Sequence, residues 1–448
     1  MEKATFLTPL GLTFLAIMAI SILILPRRYA VLPVIITALY MTLGQTLVVG
    51  GLNFNSYRII VFFGWVRLIL RKEITVSEMN LFDKVLVLFV LVGFVTGTLL
   101  LPTMDNFINR GGYAYNVILG FFLFRFLIRD IDDVILIFKA MAVMILPFAI
   151  LMLVENSTGR NIFSVFGGVP EITAIRDGRL RCQGPFRHPI LTGTFAATSF
   201  PYFFSLWFQQ GKSKILAIIS VTSAIVIIIL SRSSGPILSF LVVIIALSLW
   251  PIRSHMKVVR WSLGLSIIVL HLFMKAPVWY IIGKLSEVVG GTGWHRSDLI
   301  DQAIKNFDQW WLLGTKYTLN WAYPKSSLLP MPDDPNMVDI TNQFIFIGVE
   351  GGVFPLILFI TIITMGFKGI GRALKAWENQ PLSRRIIPWV LGVALTVHCA
   401  SFFSVSYFDQ MNVFWFLLLA MLSLVYGLSI TKNNNAAIPA DEKIHAQS

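Results

Sequence analysis

Charge is scarce in this chain. Only 13% of its 448 residues are Asp, Glu, Lys or Arg, whereas an ordinary soluble domain carries about 25%. A soluble fold so poor in charge could not cover its surface with polar groups, which excludes a water-soluble enzyme or binding module. Cysteine is scarcer still. Cys182 and Cys399 are the two present, too few for a disulfide framework and without metal-ligand spacing, so they read as unrelated free thiols. No His-Glu-x-x-His or Cys-rich cluster exists, so neither a metal site nor another cofactor is expected. Acidic residues number 23 against 36 Lys and Arg, for a net charge of +13. In a soluble protein that excess would suggest nucleic acid. In a membrane protein it follows from basic cytoplasmic loops, and no nucleic-acid partner is expected.

What the chain has in abundance is apolar sequence. Hydrophobic residues make up 56%, and the mean hydropathy is +0.76. They come in continuous blocks near the roughly 20 residues a helix needs to cross a bilayer. Continuous rather than alternating blocks select helices over a barrel. The predicted class is an all-α, polytopic integral membrane protein of about 13 (12–14) spans with a large extracytoplasmic loop. The spans are expected at roughly 5–25, 30–50, 57–70, 82–101, 113–128, 134–154, 188–208, 214–231, 235–251, 260–280, 340–365, 386–404 and 411–430. The first apolar run is longer than a signal peptide's core of about 7–15 residues and lacks a cleavage site, so it reads as an uncleaved span.

Lys and Arg fall in alternate connections: Arg27 and Arg28, Arg71 and Lys72, Arg125 and Arg129, Lys212 and Lys214, Arg253 and Lys257, Arg384 and Arg385. That alternation predicts an N-terminus outside and a C-terminus in the cytoplasm. Residues 1–431 read as one transmembrane domain, and 432–448 as a disordered tail. Two long connections, about 155–187 and 277–338, both fall outside, and long loops of this kind are commonly functional.

The first loop gathers Arg176, Arg179, Arg181 and Arg187, with Asp177 to offset them. Guanidinium groups suit phosphate, and Gly178 and Gly184 would allow close backbone approach, so the cluster reads as a diphosphate clamp. A basic loop resting on anionic lipid is the alternative. Arg232, in Ser231–Gly235 between two spans, is either a snorkelling residue or a ligand contact. His188 at the mouth of a span is a base or an interfacial residue. In the second loop, Leu299, Ala303 and Phe307 recur at helical spacing, with Ser297 the expected N-cap and Arg296 just ahead of the helix. His295 lies beside it. Trp294 and Trp321 could stack on sugar faces, or belong with Trp310 and Trp311 to an interfacial belt. Asp339, Asn342 and Gln343 sit where the loop re-enters the membrane, and ionisable groups there are functional candidates. Asp339 is either a general base or a helix cap.

Taken in order, Arg181-x-x-Gly184 with Pro185–Phe186, the Ser231–Gly235 turn, Gly-Trp-His-Arg-Ser-Asp at 293–298 and Thr341–Gly352 resemble the O-antigen ligase and polymerase family of bacterial membrane glycosyltransferases. The resemblance covers about 180–365. It implies a helical bundle with a periplasmic loop over a cavity, in the bacterial cytoplasmic membrane. It also implies transfer from an undecaprenyl-diphosphate-linked oligosaccharide to a sugar hydroxyl without a metal or nucleotide sugar, with other polysaccharide-assembly proteins as partners. Arg181, Arg232 and Arg296 match the family's arginine positions. Thr341 stands where many ligases have His, which favours a polymerase of O-antigen, exopolysaccharide or capsule, with Asp339 as base. A lipid-linked oligosaccharide flippase is the competing reading, but the chain lacks the internal repeats common in such transporters.

Overall fold

The computed structural model describes residues 5–288, 293–322 and 336–437, with Leu328, Met331 and Asp334 between them. It is mostly helical, and the strands among the described residues form two short antiparallel hairpins. Among the described residues, six helices are long and apolar enough to cross a membrane: Leu81–Leu100, Ile131–Thr158, Ser213–Leu230, Trp250–Phe273, Val353–Ala376 and Gln410–Ile430. Pro9–Ile24 and Ser234–Ser248 are shorter apolar helices. The chain is therefore a helical membrane protein.

Local chemistry explains where helices begin. Thr8 caps the first by accepting from the Gly11 N–H, with Pro9 at the position where no donor is needed. Asn80 and Asp83 form a reciprocal capping box ahead of Leu81–Leu100. Several arginines are built into the bundle rather than free. Arg67 is 1% exposed and its Nε donates to Glu73 at 2.8 Å. Arg27 pairs with Asp133 at 2.7 Å, and Arg125 with Asp83 at 3.5 Å.

Three expectations need correction. The region 30–50 is not one span: helix Leu32–Tyr40 is followed by a hairpin, Thr46–Val49 with Leu52–Asn55. Gly50 and Gly51 take φ of 57° and 77°, the positive values a two-residue hairpin turn demands. The region 340–365 is broken into Gln343–Gly351 and Val353–Ala376, because Gly352 has φ 86° and ends the first helix. The last helix continues to Ala437, past the expected start of disorder at 432, and 438–448 lie outside the described residues.

At the end of the bundle, Phe186 is fully buried among Phe148, Phe195 and Phe414, with ring centroids 5.8 Å from Phe195. The Pro185 carbonyl accepts from Gln410 Nε2 at 2.8 Å. This plug fixes the end of the first loop against the last helix.

Candidate functional site

The first loop is organised from beneath by Glu155 and Asn161. Glu155 is 1% exposed and accepts from the N–H groups of Gln183 and Gly184, at 3.0 and 2.9 Å, and from the Thr173 hydroxyl at 3.2 Å. Asn161 Nδ2 donates to the Gly184 carbonyl at 2.7 Å. Gly184 (φ 59°) is thus a buried turn with both backbone groups engaged, not an open approach for an anion. Replacing Glu155 with Ala would strand three donors, each costing about 1–3 kcal/mol when buried and unsatisfied. We expect the 155–187 loop of that variant to become protease-sensitive while the helical circular dichroism is retained.

Above this base, Ala174–Arg176 pairs with Arg179–Arg181. Asp177 and Gly178, with φ of 51° and 72°, make the turn, so Gly178 serves the hairpin and not a ligand. Arg176 lies opposite Arg179, and Ala174 opposite Arg181. Side chains alternate along a strand, so all three arginines project from one face, with Ile175 and Leu180 on the other. Like charges directly opposite one another oppose pairing. The nearby carboxylate is Asp177, 3.7 Å from Arg176.

This cationic face meets both other arginine segments. Arg181 Nη2 donates to Ser233 Oγ at 2.9 Å, and the Cys182 N–H donates to the Leu230 carbonyl at 3.1 Å. The hairpin is thereby tied to the turn that carries Arg232, which is exposed and adopts φ 45°. Ser286 Oγ donates to Ser234 Oγ at 3.3 Å, docking the second loop on the same turn. Arg296 is 7% exposed, and its Nε and Nη1 are buried without a hydrogen-bond partner among the described residues, as is Arg181 Nε. Desolvation, reinforced by Arg176, pushes the Arg296 guanidinium down to about 10. Arg181 is lowered for the same reasons, with Asp177 opposing. Both remain cationic at neutral pH.

The helix carrying Arg296 starts at Trp294, four residues earlier than a Ser297 cap implies, after Gly293. Ser297 is therefore not its cap: its hydroxyl donates to the Trp279 carbonyl at 3.0 Å and accepts from the Gly283 N–H at 3.1 Å. His295 and Arg296 sit in the first turn. Asp339 is not the cap of the re-entering helix either; Asn342 is, accepting from the N–H groups of Phe344 and Ile345 at 3.0 and 3.2 Å. Asp339 is surface-accessible, yet desolvation raises its carboxyl above the usual range, while His295 pulls it down.

Other expected contacts take structural roles. Asn342 is 2% exposed, and Gln343 Oε1 accepts from the Tyr407 N–H, so neither is open to a ligand. Trp321 is fully buried, packed with Leu299 and Val338 in the loop's own core, which rules it out as an open sugar platform. Trp310 shares that core and donates to the Ala303 carbonyl at 2.8 Å, so it is no interface anchor. Trp294 stays 37% exposed. Arg187 stands apart, 3.4 Å from Asp409, a residue that no sequence pattern singles out. Thr341 Oγ1 is buried and lacks a partner among the described residues.

His188 caps the Pro189–Ser205 helix, its Nδ1 accepting from the Ile190 N–H at 3.2 Å. Desolvation, then Arg181 and Arg176, push it from 6.5 to about 4. Folding therefore favours the neutral ring. Its contribution is complete above about pH 6.5 and is lost as pH falls through about 4. We expect His188→Asn, which keeps the cap acceptor, to unfold with a weaker pH dependence across that window in thermal melts.

Among the described residues, no group of three His, Cys, Asp or Glu comes together to hold a metal ion. Compared with known protein families the chain matches none, and no curated protein matches it.

Proposed function

We propose that this is a glycosyltransferase of about 13 spans, N-terminus outside, in the bacterial cytoplasmic membrane. It polymerises undecaprenyl-diphosphate-linked oligosaccharide units on the outer side, for O-antigen, exopolysaccharide or capsule. The observation that carries the reading is the meeting of the three-arginine hairpin face with Arg296, whose Nε and Nη1 are buried with no partner among the described residues. A buried cation with further cations gathered beside it against their own repulsion fits a multiply charged anion, and a guanidinium fork matches phosphate oxygens.

In this reading Arg181 and Arg296 hold the diphosphate, with Arg176, Arg179 and Arg232 at its edge. The acceptor hydroxyl oxygen attacks the anomeric carbon and the carbon–oxygen bond to the diphosphate breaks. The lipid diphosphate leaves with the electron pair, and fixed guanidinium groups stabilise its growing charge. Asp339 takes the hydroxyl proton, its raised basicity suiting the task. Trp294 offers a flat face to a sugar.

The test is a product assay in liposomes with an undecaprenyl-diphosphate oligosaccharide. A ladder of longer lipid-linked glycans supports a polymerase. Transfer to a different acceptor class would make it a ligase, and lipid crossing the bilayer without product would sink the enzyme reading in favour of a flippase.

A further inference from the structure

A second charged cluster lies apart from the arginine site. Glu350, within the apolar Gln343–Gly351 helix, pairs with Arg110 Nη2 at 2.5 Å and with Lys316 Nζ at 3.0 Å. These three groups come from separate segments, and together they leave one positive charge in excess. Gly97 makes the arrangement possible: a Cβ there would lie 2.5 Å from Arg110 Nε, so the guanidinium rests on the bare backbone of the Leu81–Leu100 helix.

All three border a cleft of about 300 Å³ whose remaining wall is largely apolar, including Phe94, Phe346, Ile347 and Pro355. An apolar trough ending in a net-cationic cluster matches an amphiphile with an anionic head. Neither half suits a free sugar, and a free inorganic anion would leave the aromatic wall unused.

We propose that this cleft is a lipid-phosphate site. A phosphate headgroup accepts hydrogen bonds from Lys316 and Arg110, and its hydrocarbon chain lies along Phe94, Phe346 and Pro355. Glu350 holds the two cations in place, acting as a positioning residue. The proposal does not depend on the glycosyl-transfer reading, because it uses none of those residues. A bilayer phospholipid and a polyprenyl phosphate share this chemistry.

The test is ligand binding by native mass spectrometry to the full-length, delipidated chain. The probes are phosphatidylglycerol, a polyprenyl phosphate, diacylglycerol and inorganic phosphate. Either phosphate lipid should bind, and the tighter of the two identifies the source. Lys316→Ala should weaken binding by about tenfold or more through loss of a charge-assisted hydrogen bond. Because that variant also loses an ion pair, Gly93→Leu provides a second measurement. Gly93 lines the cleft, and a Cβ there meets only Pro355 Cγ, at 4.0 Å, so a larger apolar side chain at 93 has room to enter the trough. It should abolish lipid binding and leave the melting temperature unchanged or higher. Arg296→Ala should leave phosphatidylglycerol binding intact. Diacylglycerol binding as tightly as phosphatidylglycerol, or phosphatidylglycerol binding retained in Gly93→Leu, would overturn the proposal.

Discussion

Arg296→Lys is expected to lower the rate of glycan transfer by about 100- to 1,000-fold, the usual effect of removing one preorganised donor at a developing oxyanion. Lysine keeps the charge, so the loss would report geometry. The Arg296 Nε and Nη1 are two donors held on one rigid plane in a buried setting and aimed in different directions, a spread that an ammonium on a flexible stem cannot reproduce. The measurement is single-turnover product formation with a saturating lipid-linked donor. A mere weakening of donor binding, with the saturated rate unchanged, would show that Arg296 grips ground state and transition state alike. Full activity in the lysine variant would remove the clamp from the mechanism.

Asp339→Asn is expected to cost about 100- to 10,000-fold in rate, the contribution of a general base. The pH profile separates this from simple loss of structure. A base works when ionised, so activity falls as pH drops through its folded pKa. Desolvation raises that pKa, placing the acid limb above the ordinary carboxylate value of about 4. His295 opposes the rise, so His295→Asn should move the limb higher still. Asp339→Asn should abolish the limb. A limb that survives in Asp339→Asn would assign the base elsewhere.

The helical character was legible because continuous apolar runs have few other stable outcomes. The breaks were harder to see. Gly50–Gly51 and Asp177–Gly178 are hairpin signals, but strands of three or four residues leave almost no periodicity around them. Arg181 and Arg296 could be singled out because they fall in connections that the Lys and Arg alternation assigns to the outer side, where basic residues are not expected. The docking of the hairpin on the Arg232 turn could not be, since the Arg181–Ser233 bond spans 52 positions. Trp310 and Trp321 were misplaced because a tryptophan-rich loop reads the same whether its indoles anchor at an interface or fill a small core. Asn342 looked like a ligand contact for a related reason: a polar residue where a chain enters a membrane is equally a cap. Asp409 might have been sought as the carboxylate answering an arginine-rich loop, but it lies 222 positions from Arg187 in an otherwise ordinary connection.

The broken helix has a mechanical consequence. At Gly352 the Val353 N–H donates to the Trp311 carbonyl at 2.7 Å, and the Thr315 N–H donates to the Val349 carbonyl at 2.8 Å. A Cβ on Gly352 would sit 2.2 Å from the Leu312 carbonyl oxygen, and one on Gly314 would sit 2.2 Å from that of Val349. Backbone is stitched to backbone there, with no side chain to act as a spacer. The 310–315 segment and the helix break beneath it are thus a stiff unit. The 174–181 hairpin is held less tightly, meeting the Leu230–Ser233 turn through the Arg181–Ser233 side-chain bond and the Cys182 N–H to the Leu230 carbonyl. Movement within the loops is therefore expected in the hairpin, while Gly314 and Gly352 keep the 310–315 segment in register with the helix break.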